Sequence, residues 1–270
     1  MGAENTPSPV NITTLQRMKA QGEKIACLTC YDASFTQVLE SAGVDVFIVG
    51  DSLGMVVKGH ESTVAVTMSD MVYHAANVAR VGRHALRVVD LPFMSYATRE
   101  QALGNAARLM REGGAHMVKL EGGSVVAGVV EHLTRHAIPV CGHIGLLPQS
   151  VHKLGGYRVQ GRDAAGADAV LADARALEAA GAGLLVIECV PAELAARVSA
   201  AVAIPTIGIG AGPACDGQVL VLYDMLGITP GKRPRFVRDF LDQTGGIPAA
   251  ITAYVRAVRD GSFPGPEHCF

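Results

Sequence analysis

Phe47-Ile48-Val49-Gly50-Asp51 is an apolar run that stops on a carboxylate, and the chain repeats this pattern three more times. Leu86-Arg87-Val88-Val89 ends at Asp90, His116-Met117-Val118-Lys119-Leu120 at Glu121, and Leu184-Leu185-Val186-Ile187 at Glu188. Short apolar runs read as buried strands, and charged groups are rarely buried unless paired or bound to metal. If the strands are parallel, all four acids share one end of the sheet. That end is where α/β enzymes place their chemistry.

Working outward, strand-like runs alternate with helical ones almost to the end of the chain. Residues 12–21 read as a short leading helix. Strands are predicted at 25–29, 44–49, 86–89, 116–120, 138–142, 184–187, 206–209 and 218–223. Between them, helices are predicted at 33–42, 68–81, 99–112, 125–136, 167–180 and 191–201. Two more, around 236–241 and 249–260, close the chain. Strand–helix alternation with mostly short connections argues for parallel βαβ units. About eight strands favour a closed (β/α)8 TIM barrel over an open sheet, and the early GxGxxG of a dinucleotide fold is missing. The predicted organisation is one α/β domain over residues 12–270 behind a flexible N-terminus at 1–11.

The 270 residues suit a barrel of about 250. A net charge of −2, no Trp and 5% aromatic content lack the positive footprint and stacking platforms that nucleic acid needs. No apolar stretch approaches the ~20 residues of a membrane span, and the polar start lacks the apolar core of a secretory signal. Cytoplasmic residence is the default. Of the six cysteines, four sit in or beside apolar runs, as reduced packed thiols do. Cys27 and Cys30 have redox-motif spacing, but they lie in a strand-like run instead of at a helix start.

Asp51 and Asp90 suit Mg²⁺, which is usually held by one or two carboxylates with water and substrate oxygens. Glu121 suits a metal-bound water. Lys119 precedes it by two residues and therefore points to the same side of the strand, where its cation suits a substrate carboxylate. His143 lies at the end of the fifth strand and reads as either a substrate contact or a packed histidine. His132 and His136 share a helix face, but Leu133 stands where a zinc helix would carry its glutamate, and no third ligand suggests itself. The helix dipole explains His136 better than zinc. Gly208-Ile209-Gly210-Ala211-Gly212 is either an anion cradle or a tight turn. Two connections, 52–67 and 144–166, exceed ordinary loop length. The second is rich in glycine and basic residues, a composition suited to a mobile cover over a polar ligand.

Several longer words occur in a fixed order: Val49-Gly50-Asp51-Ser52-Leu53-Gly54-Met55, Asp90-Leu91-Pro92-Phe93-Met94-Ser95-Tyr96 and Val118-Lys119-Leu120-Glu121-Gly122-Gly123. Gly142-His143-Ile144-Gly145-Leu146-Leu147-Pro148-Gln149-Ser150, Glu188-Cys189-Val190-Pro191 and Ile207 to Gly212 follow. From about Thr13 to the C-terminal tail, the chain resembles the ketopantoate hydroxymethyltransferase family. Leu147 and Cys269 depart from its common pattern, and neither falls on an acid at a strand end.

The resemblance implies a (β/α)8 barrel that uses Mg²⁺ and takes 5,10-methylenetetrahydrofolate as co-substrate. It implies Asp51 and Asp90 as metal ligands, with Glu121 acting directly or through water. It implies Ser52 and Lys119 as contacts to the 2-oxo acid, Glu188 as proton acceptor, and a decameric homo-oligomer. Its small-molecule partners are the 2-oxo acid 3-methyl-2-oxobutanoate and the folate. Two other readings compete. One is a phosphoenolpyruvate mutase or isocitrate lyase relative, although no Lys pair precedes Cys141-Gly142-His143. The other is a non-catalytic barrel, against which the set Asp51, Asp90, Lys119, Glu121 and Glu188 argues.

Overall fold

The computed structural model describes residues 8–270. Eight strands close into a barrel in chain order, every neighbouring pair parallel. They are β1 (Ile25–Thr29), β2 (Val46–Val49), β3 (Leu86–Asp90), β4 (Met117–Glu121), β5 (Val140–Gly145), β6 (Leu184–Glu188), β7 (Thr206–Ile209) and β8 (Gly217–Leu220). The (β/α)8 barrel read from the sequence is the fold of this chain.

The period of two along each strand sorts the core into two layers. Val46, Ile48, Leu86, Val88, Met117, Cys141, Leu184 and Val186 pack together inside the barrel. Leu15 and Met18 of the leading helix Ile12–Gln21 join that inner cluster. The alternate residues Phe47, Val49, Val89, Val118, Leu120, Leu185 and Ile187 belong to a second cluster shared with the surrounding helices. Carrying the inward parity one step past Val88, Met117, Cys141 and Val186 reaches Asp90, Lys119, His143 and Glu188. One residue pair further on β4 lies Glu121. The interior is therefore apolar through its lower part and polar at its C-terminal mouth.

Helix limits follow local chemistry. Thr67 caps Met68–Val81 with a reciprocal capping box to Asp70, and Asp163 caps Ala164–Ala179 through the Gly166 N–H.

Several boundaries differ from those predicted. β5 extends to Gly145, so His143 lies within the strand and not at its end. β8 stops at Leu220, because the Leu222 N–H donates to Thr29 Oγ1 and a helical turn begins at Leu222. No helix forms at 236–241. There Asp239 Oδ1 accepts from the Leu241 and Asp242 N–H groups, a local turn that competes with helical pairing. The other closing helix is present as Ile247–Arg259.

Of the N-terminus expected to be flexible, residues 1–7 lie outside the described residues. Val10 is held: its side chain is buried and its N–H donates to the His84 carbonyl at 2.8 Å.

Candidate active site

All seven predicted site residues, Asp51, Ser52, Asp90, Lys119, Glu121, His143 and Glu188, line one cavity of about 840 Å³ at the C-terminal mouth of the barrel. Barrel register accounts for much of this convergence. Asp90 pairs with Lys119 across β3 and β4, Glu121 with His143 across β4 and β5, and Gly145 with Glu188 across β5 and β6. Asp51 comes from the turn just after β2, where its N–H donates to Asp90 Oδ2 at 3.1 Å.

Lys119 Nζ lies 2.9 Å from Asp90 Oδ1, and both side chains are almost wholly buried. The cation that the sequence assigns to a substrate carboxylate is thus already paired with an acid of the site. It remains on the cavity wall. Burial works against the Lys119 charge, but Asp90, Glu121 and Asp51 outweigh it and hold the ammonium well above its ordinary range. The opposite balance governs Asp51. Burial first, then the like charges of Asp90 and Glu121, push its carboxyl well above 3.8, and Lys119 and Gln149 offset only part of this.

His143 stands between the two acid groups. Its Nε2 lies 3.1 Å from Glu188 Oε2 and its Nδ1 3.6 Å from Glu121 Oε1. These are charge contacts without hydrogen-bond alignment. Burial and the Lys119 charge push the imidazole down, but Glu121 and Glu188 prevail and raise it to about 9. Glu188 therefore meets an imidazole as well as the apolar flanks Ile187 and Cys189. Cys189, at φ 47°, turns the chain sharply after it.

Two glycines make room for this arrangement. Gly50 occupies the inward position above Ile48, where an added Cβ would come within 3.0 Å of Ser52 Oγ and 3.5 Å of Asp90 Oδ2. Gly145 has φ 87°, and a Cβ there would collide with the Glu188 carbonyl oxygen. Gly145→Ala is expected to cost about 1–3 kcal/mol through left-handed backbone strain and this collision. Urea unfolding of the variant measures that loss.

The remaining sequence expectations divide. Ser52 reaches the cavity, and its hydroxyl lies 2.9 Å from the Tyr31 OH. Of the glycines of 208–212, Gly208 lies within β7, while Gly210 at φ 60° and Gly212 at φ 77° bend the chain beyond it; Ile209 lines the cavity and the glycines do not. The His132 and His136 rings lie 4.6 Å apart, tilted by 53°, and His136 Nδ1 contacts the His132 carbonyl at 2.7 Å, so the pair closes its own helix end. Cys27 and Cys30 are buried free thiols, both raised first by burial.

The long connection after β5 contains two short helical turns, and its Tyr157, Arg158 and Arg162 reach the cavity. Residues 232–236 reach it too. Sequence reasoning missed that segment, whose signal is limited to Lys232, Arg233 and Arg235 in an otherwise ordinary loop. It also missed Tyr96 and Gln149, which hold the acids from behind.

Among the described residues, no group of three His, Cys, Asp or Glu side chains is gathered closely enough to hold a metal alone. The donors do suit a hard cation completed by substrate and water. Asp51, Asp90 and Glu121 are buried carboxylates sharing one Lys119 ammonium, and Glu121 Oε1 is buried without a hydrogen-bond partner among the described residues. That leaves more carboxylates than cations at the barrel mouth, with Glu121 Oε1 held only by its 3.6 Å charge contact to His143 Nδ1, an excess that a divalent cation would offset.

A profile of the family described as Ketopantoate hydroxymethyltransferase matches residues 9–266. The protein of Nitrosococcus oceani named 3-methyl-2-oxobutanoate hydroxymethyltransferase is 61% identical, over 94% of this chain and 97% of its own. The like-named protein of Burkholderia multivorans is 57% identical over 99% and 98%. Among solved structures, a putative phosphonomutase from Burkholderia cenocepacia matches with a TM-score of 0.62 at 18% identity, covering 80% of this chain and 94% of that one. A phosphonopyruvate hydrolase in complex with oxalate and Mg matches at 0.60 and 11% identity, over 96% and 93%. At these identities the structural likeness speaks to the barrel alone.

Proposed function

This chain belongs to the ketopantoate hydroxymethyltransferase family, and from that premise we propose that it is the 3-methyl-2-oxobutanoate hydroxymethyltransferase of pantothenate biosynthesis. Its substrates are then 3-methyl-2-oxobutanoate and 5,10-methylenetetrahydrofolate, and its product is 2-dehydropantoate. One observation supports this reading above the others: acids from four separate strand ends meet in one cavity, divided by His143 into two groups. Asp51, Asp90 and Glu121 form the group suited to a cation. Glu188 stands apart from it as a base.

Asp51 and Asp90 would hold Mg²⁺, with Glu121 beside them directly or through water. When bound, the ion supplies positive charge against the oxygen that becomes negative as C3 loses its proton. Lys119 has three N–H donors and spends one on Asp90, so it can also meet the substrate carboxylate. That fixes the acid end of the substrate deep in the barrel and turns its branched carbon towards Glu188. Glu188 takes the C3 proton. The His143 imidazole on its far side orients the carboxylate and separates it from Glu121. Water breaks the carbon–nitrogen bonds of the folate's one-carbon bridge, which releases tetrahydrofolate and leaves the carbon at the formaldehyde level. The C3 carbanion then adds to that carbon, and its oxygen takes a proton to become the product hydroxyl. The long β5 connection and the segment at 232–236 wall the outer cavity, where the folate has room.

Incubation with both substrates and Mg²⁺ is expected to yield 2-dehydropantoate and tetrahydrofolate in equal amounts, each absent when the 2-oxo acid is withheld. Absence of both products with Mg²⁺, Mn²⁺ and Co²⁺ alike would overturn the reading.

A further inference from the structure

We infer that Gln149, held by Tyr96, is a positioning residue that fixes the Asp51 and Glu121 carboxylates for cation binding by holding one oxygen of each. The inference rests on the metal-site reading above and extends it to two residues that do not line the cavity. Gln149 is 5% exposed and enters from the long connection after β5, in the short turn Pro148–Ser150. Its side-chain Nε2 donates to Asp51 Oδ2 at 2.8 Å and to the Leu91 carbonyl at 3.0 Å. Its backbone N–H donates to Glu121 Oε2 at 2.9 Å. One residue thus pins one oxygen on each of two acids that arrive from different strands.

The orientation of this amide is forced. Gln149 Oε1 accepts from the Tyr96 OH at 2.6 Å, and the same hydroxyl accepts from the Glu121 N–H at 3.3 Å. If the amide were flipped, its oxygen would face the Asp51 carboxylate and the Leu91 carbonyl, both of which only accept. Tyr96 holds the far side: its single O–H donates to Oε1 at 2.6 Å, the shorter of its two acceptor contacts, the other being the Glu121 carbonyl at 3.2 Å. The consequence shows on Glu121: with Oε2 held by Gln149, Oε1 is left buried and without a hydrogen-bond partner among the described residues. That oxygen keeps a 3.6 Å charge contact with His143 Nδ1, and a cation bound beside Asp51 would satisfy it further. Groups that orient ligands from behind typically carry 10–100-fold of metal affinity.

Manganese binding in the presence of saturating 3-methyl-2-oxobutanoate, read by the electron paramagnetic resonance of free Mn²⁺, separates the possibilities. Gln149→Leu is expected to weaken Mn²⁺ binding about 10–100-fold. Tyr96→Phe keeps the ring and removes only the hydroxyl, so it tests the lock even if Gln149→Leu fails to fold; it is expected to weaken binding several-fold, on the order of the lower end of that range. At saturating Mn²⁺ the Tyr96→Phe protein should recover most of its kcat, which a role confined to folding does not predict. Wild-type Mn²⁺ affinity in the folded Tyr96→Phe and Gln149→Leu proteins would overturn the inference alone. No Mn²⁺ binding by the wild type with the 2-oxo acid present, or binding unchanged in Asp51→Asn, would overturn the metal reading and the inference with it.

Discussion

Glu188→Gln is expected to slow exchange of the C3 proton of 3-methyl-2-oxobutanoate by about 10²–10⁴-fold, the usual worth of a positioned general base. The amide keeps the size of the carboxylate and its place 3.1 Å from His143 Nε2, so what is lost is the ability to take a proton. Asp51, Asp90 and Lys119 form their own contacts with one another, none of which involves Glu188. Binding of the 2-oxo acid and of Mg²⁺ should therefore stay close to wild type. Deuterium exchange in heavy water, followed by proton NMR without folate, reads the step directly. Exchange at the wild-type rate would remove Glu188 from the role of base.

Asp90→Asn is expected to do two separable things. Lys119 is almost completely buried and loses its closest counter-charge, and breaking a buried pair from one side typically costs about 3–5 kcal/mol. Asp51 and Glu121 still face the ammonium, which places the expected loss near the lower end, about 3 kcal/mol. The variant should also lose Mg²⁺-dependent binding of the 2-oxo acid. Adding Lys119→Met removes the stranded cation and is expected to restore much of the stability without restoring metal-dependent binding. Urea unfolding and calorimetric titration of the single and double variants measure the two effects. An unchanged Mg²⁺ requirement in Asp90→Asn would count against that carboxylate as a ligand.

Much of this site could be read from the chain because strand periodicity and charge placement carry it. Apolar runs ending on Asp51, Asp90, Glu121 and Glu188 mark strand ends, and parallel pairing brings them to one mouth. Lys119 two residues before Glu121 follows from the same period of two. What parity does not give is the partner of each group. Lys119 meets Asp90 because the β3–β4 register puts them side by side, and register is a property of strand pairs.

Other features are hidden for different reasons. His143 reads as a strand terminus because Gly142 and Gly145 resemble chain breaks, yet β5 runs through to Gly145. Gln149 carries no charge and no catalytic signature, and only its three donated bonds reveal what it holds. At 236–241, apolar spacing imitates a helix, and Asp239 breaks it by taking two backbone N–H groups on its own side chain.

A crystal structure of the protein soaked with Mg²⁺ and 3-methyl-2-oxobutanoate tests the mechanism most directly. The expected result is one ion about 2.0–2.1 Å from oxygens of Asp51 and Asp90, the substrate carboxylate beside Lys119, and C3 turned towards Glu188. An ion bound away from both aspartates, or a substrate whose C3 points away from Glu188, would contradict it.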